Sequence, residues 1–337
     1  MTRTSLFTLV ALLIACLGSA SFARQTRPNG PSERRSRAGL AGQASLKIAV
    51  IPKGTTHVFW RSVDAGAQAA GIELGVEIIW KGPLKENDRA QQIAIVEQFV
   101  TEGVSGIVLA PLDDTALRRP VAEAAQKKIP VVIFDSALKG EPGKDFVSFV
   151  ATNNRKGGSL GGEYLSKLLG GNGKVVLLRY QVGSASTMER EEGFLQAIRK
   201  SKGLEMIVDN RYAGATAGEA KTAAMNIVDK LKEADGIFCP NESSTFGMLL
   251  ALKQNNLAGK VKFVGFDTSP PLVEALRKGE IDALVAQDPT RIGYEAVTIL
   301  VDHIRGKKVP TTVDTGVRLI TRDNIDSPEI KKLLGPS

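Results

Sequence analysis

From Leu46 onward, short apolar runs alternate with longer segments in which apolar residues recur at helical period. Short runs with no polar face are buried on both sides, as in parallel sheets covered by helices. Strands are predicted at Lys47–Ile51, Val76–Trp80, Gly106–Leu109, Val131–Phe134 and Phe146–Val150, with helices at Trp60–Leu74, Glu86–Glu102 and Asp114–Lys127. Asp113 or Asp114 is placed to cap the third helix. A second series follows: a helix from about Arg155, a strand at Lys174–Leu178, a helix after Ser186, a strand at Leu204–Val208 and a helix at Ala217–Lys232. It continues with a strand at Gly236–Cys239, a helix at Ser243–Asn255, strands at Val261–Phe266 and Asp282–Ala286, and a helix at Arg291–Ile304. The predicted fold class is α/β, with two doubly wound parallel-sheet lobes. In such sheets ligands bind outside the carboxyl ends of the strands.

The pattern breaks before Leu46. Residues 1–23 read as an export signal: Arg3 supplies a positive start, and the apolar run Leu6–Leu17 is too short to span a bilayer. Two processing routes fit. Ser21-Phe22-Ala23 offers small residues for ordinary cleavage, giving a soluble protein, whereas Leu13-Ile14-Ala15-Cys16 fits a lipobox, with Cys16 lipidated and tethered to a membrane. Residues 24–45 are rich in Arg, Ser, Gly and Pro and hold almost no large apolar side chain, so a disordered leader is expected. Its five arginines against Glu33 contribute +4 of the chain's formal +8. What remains is mildly basic, and with aromatic content at 5% it lacks the basic, aromatic face of a nucleic-acid binder. Cys16 and Cys239 are the only cysteines, so the mature chain has no disulfide framework, and Cys239 in Gly236-Ile237-Phe238-Cys239 reads as a packing residue.

The positions just after each strand have a uniform chemistry. His57, Phe59 and Trp60 follow the first strand, Asp135 follows the fourth, and Asn153 and Asn154 follow Phe146–Val150. In the second series a loop leads to Arg190, and Asn241, Asp267 and Gln287 each follow a strand. Sugar hydroxyls both donate and accept, which suits amides, carboxylates and a guanidinium, while ring faces lie against aromatic planes. Each residue alone has a plainer role: core packing for Phe59 or Trp60, a cap before Pro270 for Asp267, a surface ion pair for Arg190, a turn for Gln287, a loop position for His57. Joint occurrence at successive strand ends is what points to a binding cleft.

Several segments carry a resemblance: Phe59-Trp60-Arg61-Ser62-Val63-Asp64-Ala65-Gly66-Ala67, Ile129-Pro130-Val131-Val132-Ile133-Phe134-Asp135, Ala151-Thr152-Asn153-Asn154, Glu189-Arg190-Glu191-Glu192-Gly193-Phe194, Cys239-Pro240-Asn241-Glu242, Val264-Gly265-Phe266-Asp267 and Ala286-Gln287-Asp288-Pro289. With these, the chain resembles the type I periplasmic binding proteins of the ribose-binding group, solute receptors of ABC importers, from Leu46 to the C-terminus. The resemblance implies stacking by Phe59 and Trp60 and hydrogen bonding by Asp135, Asn154, Arg190, Asn241, Asp267 and Gln287. It also implies a three-segment hinge near Thr152–Asn154, Gln287–Pro289 and Asp314–Gly316, dividing the chain into one lobe of 46–152 plus 288–315 and another of 153–287 plus 316–337. Three positions depart from the ribose pattern: His57 replaces an Asn, Ser136 replaces an Arg, and an aromatic is missing near Ala215. Ribose itself is therefore not the expected ligand.

Gly157-Gly158-Ser159-Leu160-Gly161 matches the GxSxG nucleophile pattern, with Asp267 and His303 following in hydrolase order, but Ser159 falls inside a helix rather than on a turn after a strand. No phosphate loop and no paired-histidine metal spacing is present, so no cofactor or metal is expected. A repressor sharing the two-lobe core needs an N-terminal helix-turn-helix, where this chain has an export signal. The sequence thus predicts a periplasmic receptor, not an enzyme, that closes on a small sugar or sugar-like polyol and delivers it to an importer's membrane permease. The alternative is presentation of a sugar-like signal to a membrane sensor. A monomer without nucleic-acid partners is expected.

Overall fold

The computed structural model describes residues 45–335; the predicted export signal, Cys16 and the leader up to residue 44 lie outside them. The first series comprises β1 (Lys47–Ile51), α1 (Val58–Leu74), β2 (Glu77–Trp80), α2 (Arg89–Glu102), β3 (Gly106–Leu109), α3 (Arg118–Gln126), β4 (Val131–Phe134) and β5 (Ser148–Ala151). The second comprises α4 (Asn154–Leu168), β6 (Asn172–Arg179), α5 (Ala185–Arg199), β7 (Gly203–Tyr212), α6 (Ala217–Met225), α7 (Val228–Glu233), β8 (Gly236–Phe238), α8 (Glu242–Gln254), β9 (Lys262–Phe266), α9 (Pro270–Arg277) and β10 (Ala283–Ala286). The chain then returns through α10 (Pro289–Ile304), β11 (Thr312–Asp314), β12 (Arg318–Thr321) and α11 (Pro328–Leu334).

Two six-stranded sheets result, ordered β11-β5-β4-β3-β1-β2 and β12-β10-β9-β8-β6-β7. The orders are equivalent strand for strand, and every pairing is parallel except β10 with β12. In β1, Ile48 and Val50 face the cluster built with α1 and α10, while Ala49 and Ile51 face the one built with α2 and α3. Both faces are apolar because both are covered, which is why the strands read as continuous apolar runs. The chain passes from one sheet to the other three times: between β5 and α4, between β10 and α10, and between β11 and β12.

Helix pairs pack unusually closely through glycines. A Cβ on Gly158 of α4 would run into the carbonyl of Arg190 on α5, and one on Gly193 of α5 into the carbonyl of Arg155. The first half repeats the device, with Gly66 of α1 against Thr290 of α10 and Gly293 against Val63.

Three local expectations need correction. The second helix starts at Arg89, not Glu86, because the Asp88 side chain accepts from Gln91 N and caps it there. The third starts at Arg118; Asp113 instead accepts from Thr115 N and Ala116 N and shapes the preceding turn. The predicted helix at Ala217–Lys232 is two helices, broken at Asn226–Ile227. The helix α9, the edge strands β11 and β12 and the terminal α11 carry too short a periodic signal to be read in advance.

Candidate functional site: a charged cleft between the sheets

The topology places the carboxyl ends of β1 and β6 at the points where strand order reverses, since β2 and β3 flank β1 on opposite sides and β7 and β8 flank β6. Crevices open at such points. Residues from both sheets meet there around one cavity lined by Lys53, His57, Phe59, Trp60, Glu86, Asp135, Ser186, Thr187, Arg190, Asn241, Glu242, Asp267 and Gln287. About 20 Å³ of this cavity is open to water, little more than one water molecule needs.

Asp135 and Asp267 occupy equivalent places, one after β4 and one after β9. Both have positive φ, 59° and 70°, a conformation that costs a non-glycine residue ~1 kcal/mol. Their backbone N–H groups still complete the sheets, donating to Val150 O and Val285 O at 2.9 Å. The left-handed turn ends each strand and leaves a carboxylate in the cleft. Asp135 Oδ2 lies 3.4 Å from the buried ammonium of Lys53. Asp267 accepts from Gln287 Nε2 at 2.8 Å and from the backbone N–H of Glu242 at 2.8 Å. Burial pushes both carboxyls upward, opposed chiefly by Lys53 for Asp135 and by Arg190 for Asp267.

Arg190, 2% exposed, lies with its guanidinium carbon 4.0 Å from the centroid of the Phe266 ring. Its Nε donates to Asn154 Oδ1 at 2.8 Å and its Nη1 to Pro240 O at 3.0 Å. Nη2 has no hydrogen-bond partner among the described residues. Gln287 Oε1 is likewise buried without a partner, so acceptor and donor capacity both remain at the cavity wall.

His57 and Glu86 form an ion pair of 2.7 Å. The other ring nitrogen, Nε2, lies 3.1 Å from Ala215 O. Both neighbours are acceptors only, so the ring satisfies both by carrying two protons. Burial opposes that charge, yet the Coulombic pull and hydrogen bond of Glu86, with Glu242 and the Ala215 carbonyl, raise the His57 pKa to about 9. Burial likewise opposes ionisation of Glu86, but His57, Lys53 and the Trp60 indole N–H bring it down to about 2. Glu86 accepts from Trp60 Nε1 at 2.7 Å and from Tyr180 OH at 3.0 Å. Its three side-chain partners, His57, Trp60 and Tyr180, come from both halves, and the Trp60 ring stands edge-on to Phe134 and Phe59.

Further bonds cross the cleft. Lys53 Nζ donates to Ser184 Oγ at 3.2 Å and Ser186 Oγ at 2.8 Å, and Ser186 N donates to Ser136 Oγ at 3.2 Å. Two departures from the ribose pattern acquire a geometry: Lys53 supplies a cation beside Asp135, where Ser136 has none, and the His57 ring reaches the Ala215 segment, where no aromatic stands.

Eight of the nine residues nominated from sequence line this cavity: His57, Phe59, Trp60, Asp135, Arg190, Asn241, Asp267 and Gln287. Asn154 does not; it stands behind Arg190 and orients it. Asn241 also serves its own helix, its Oδ1 accepting from Ser244 N and capping α8. Lys53, Glu86, Ser186, Thr187 and Glu242 were not nominated. Lys53 stands two residues after β1 and Glu242 directly after Asn241, both places the strand-end rule covers, whereas Glu86 was assigned to a helix. Ser159 lies within α4 and donates to Gly193 O at 3.3 Å, while His303 is in the last turn of α10 beside a groove at the amino ends of β3 and β4. The hydrolase trio is not assembled. Among the described residues no helix is long and apolar enough to cross a membrane.

A family model described as the periplasmic binding protein domain matches residues 48–308. The ribose import binding protein RbsB of Haemophilus influenzae is 31% identical over 292 residues, covering 84% of this chain and 95% of the relative. A carbohydrate transporter solute-binding protein from Agrobacterium radiobacter, solved in complex with D-arabinose, has a TM-score of 0.83 at 33% identity, over 87% of this chain and 100% of that one. A solute-binding protein of an ABC transporter from Agrobacterium vitis, with bound D-fucose, has a TM-score of 0.82 at 34% identity, over 86% of this chain and 100% of that one. Two matched sheets, a cleft at their switch points and a family match across both make this chain a member of the periplasmic binding protein domain family.

Proposed function

We propose that this protein is a receptor that captures a small neutral monosaccharide or sugar-like polyol by closing its two halves and delivers it, unaltered, to the permease of an ABC importer. The observation that carries this reading is the cleft itself. Buried carboxylates, a guanidinium and two amides face one cavity beside Phe59 and Trp60, with Gln287 Oε1 lacking a partner. The relatives' ribose, D-arabinose and D-fucose support the same ligand class. The three cations Lys53, His57 and Arg190 are answered by four carboxylates, Glu86, Asp135, Glu242 and Asp267, so an anionic sugar meets no surplus positive charge.

With about 20 Å³ open, capture requires the halves to part and re-close, and the three crossings between the sheets are the hinge. Phe59, Trp60, Asp135, Arg190, Asn241, Asp267 and Gln287 contact the ligand, His57 forms part of the wall, and Asn154 positions Arg190. The protein acts as an exported monomer; mass spectrometry of the mature N-terminus distinguishes cleavage after Ala23 from lipidation at Cys16. The central test is a thermal-shift screen of neutral monosaccharides, polyols and uronic acids, followed by calorimetry on the hits. At least one neutral compound should bind while its uronate does not, and it should be recovered chemically unchanged. A screen in which only acidic sugars bind overturns the reading.

A further inference from the structure

Helix α1 opens the site, since Phe59 and Trp60 are in its first turn, yet it has no cap of its own. Its N-cap residue is His57, whose side chain makes no capping hydrogen bond because both ring nitrogens are turned to Glu86 and Ala215. No acidic residue lies in its first turn. A helix N-terminus presents unsatisfied N–H groups and partial positive charge, which a carboxylate satisfies. Here that carboxylate comes from the other half of the molecule. Glu242, the first residue of α8, accepts from Val58 N through Oε1 at 3.2 Å and from Phe59 N through Oε2 at 2.9 Å. Its own backbone N–H is held by Asp267 Oδ2 at 2.8 Å.

We propose that Glu242 is a positioning residue whose carboxylate caps α1 across the cleft only when the halves are closed, so that closure completes the helix carrying the stacking aromatics. Opening strips α1 of its cap and leaves two amides to water. The bond from Asp267 to the Glu242 amide links this latch to a carboxylate of the binding wall. Glu242 thus adds affinity for every ligand that the closed form accepts, independently of which hydroxyls that ligand presents.

Two measurements on the full chain test this. Hydrogen exchange with and without a saturating sugar from the screen should show protection at Val58 and Phe59 rising on binding by about 10-fold more in wild type than in Glu242→Gln, the size of one lost charged cap, while amides in the middle of α1 respond alike in the two proteins. An equal rise at Val58 and Phe59 in both proteins overturns the proposal. Both measurements rest on the sugar-receptor reading; the second is stopped-flow binding of several sugars taken from the screen. Glu242→Gln should raise the dissociation rate by a similar factor of about 10 for each, with association rates unchanged, and Glu242→Ala should raise it further. A loss that differs widely between sugars marks Glu242 as a ligand contact and overturns the latch. A screen in which no sugar binds fails the receptor reading, whereas a sugar that binds wild type and Glu242→Gln with the same exchange and dissociation rates fails the latch alone, so the two failures are separate results.

Discussion

At the scale of single residues, the cleft is a set of buried charges each dependent on a partner. Asp267→Ala removes the acceptor for Gln287 Nε2 and the Glu242 amide and leaves Arg190 facing one carboxylate fewer. Arg190→Ala uncovers Asn154, Pro240 O and the Phe266 face. Each substitution should weaken sugar binding by about 2 kcal/mol or more, because buried groups are left unpaired; calorimetry giving wild-type affinity in both contradicts the site. The His57–Glu86 pair sets a pH window. His57, raised from 6.5 to about 9, contributes stability fully present below 6.5 and lost as pH rises through about 9. Glu86, lowered from 4.5 to about 2, contributes stability present above 4.5 and lost as pH falls through about 2. In urea titrations the stability gap between wild type and His57→Gln should be widest between pH 4.5 and 6.5 and close above about 9. A gap that widens with alkalinity contradicts the doubly protonated ring.

At the scale of elements, glycines decide where the cleft-lining side chains stand. The tempting GxSxG run owes its glycines to packing, not to a nucleophile turn, since Gly158 lets α4 approach α5 at the very residue, Arg190, that reaches into the cleft. Gly158→Ala should destabilise the fold by about 1–3 kcal/mol in urea titrations, the cost of an overpacked contact, and weaken sugar binding as Arg190 is displaced. Ser159→Ala gives up one 3.3 Å bond to Gly193 O and should stay within about 1 kcal/mol of wild type, with sugar binding retained. The central strands were legible because burial on both faces leaves a short apolar run that few other arrangements produce. Glu86 was misread for the converse reason. It falls one turn before a genuine helical period, and nothing local distinguishes a helix-start glutamate from one turned inward to meet His57, Trp60 and Tyr180.

At the scale of the whole molecule, each crossing between the sheets carries one buried side-chain oxygen without a partner: Thr152 on the first, Gln287 on the second, Thr315 on the third. Gln287 faces the cavity, but the threonines do not line it. Thr152→Val or Thr315→Val removes an unsatisfied hydroxyl and should leave thermal stability unchanged or raise it by up to about 1 kcal/mol. A loss of about 2 kcal/mol or more in either contradicts that assignment. A ligand at 100 times its dissociation constant should add about 2.7 kcal/mol to the stability of the folded chain, and small-angle scattering with and without it should report the change in compactness on closure. The sequence by itself determined the two doubly wound sheets and most of the strand-end residues of the cleft, because burial and strand polarity are written in local apolar pattern. Only the tertiary structure decided which charges neutralise which. The pairs Lys53 with Asp135, His57 with Glu86 and Glu242 with Val58 at the start of α1 join positions 82, 29 and 184 residues apart, and no periodicity encodes contacts between loops gathered at one sheet's end or, for Glu242, between two sheets that face each other.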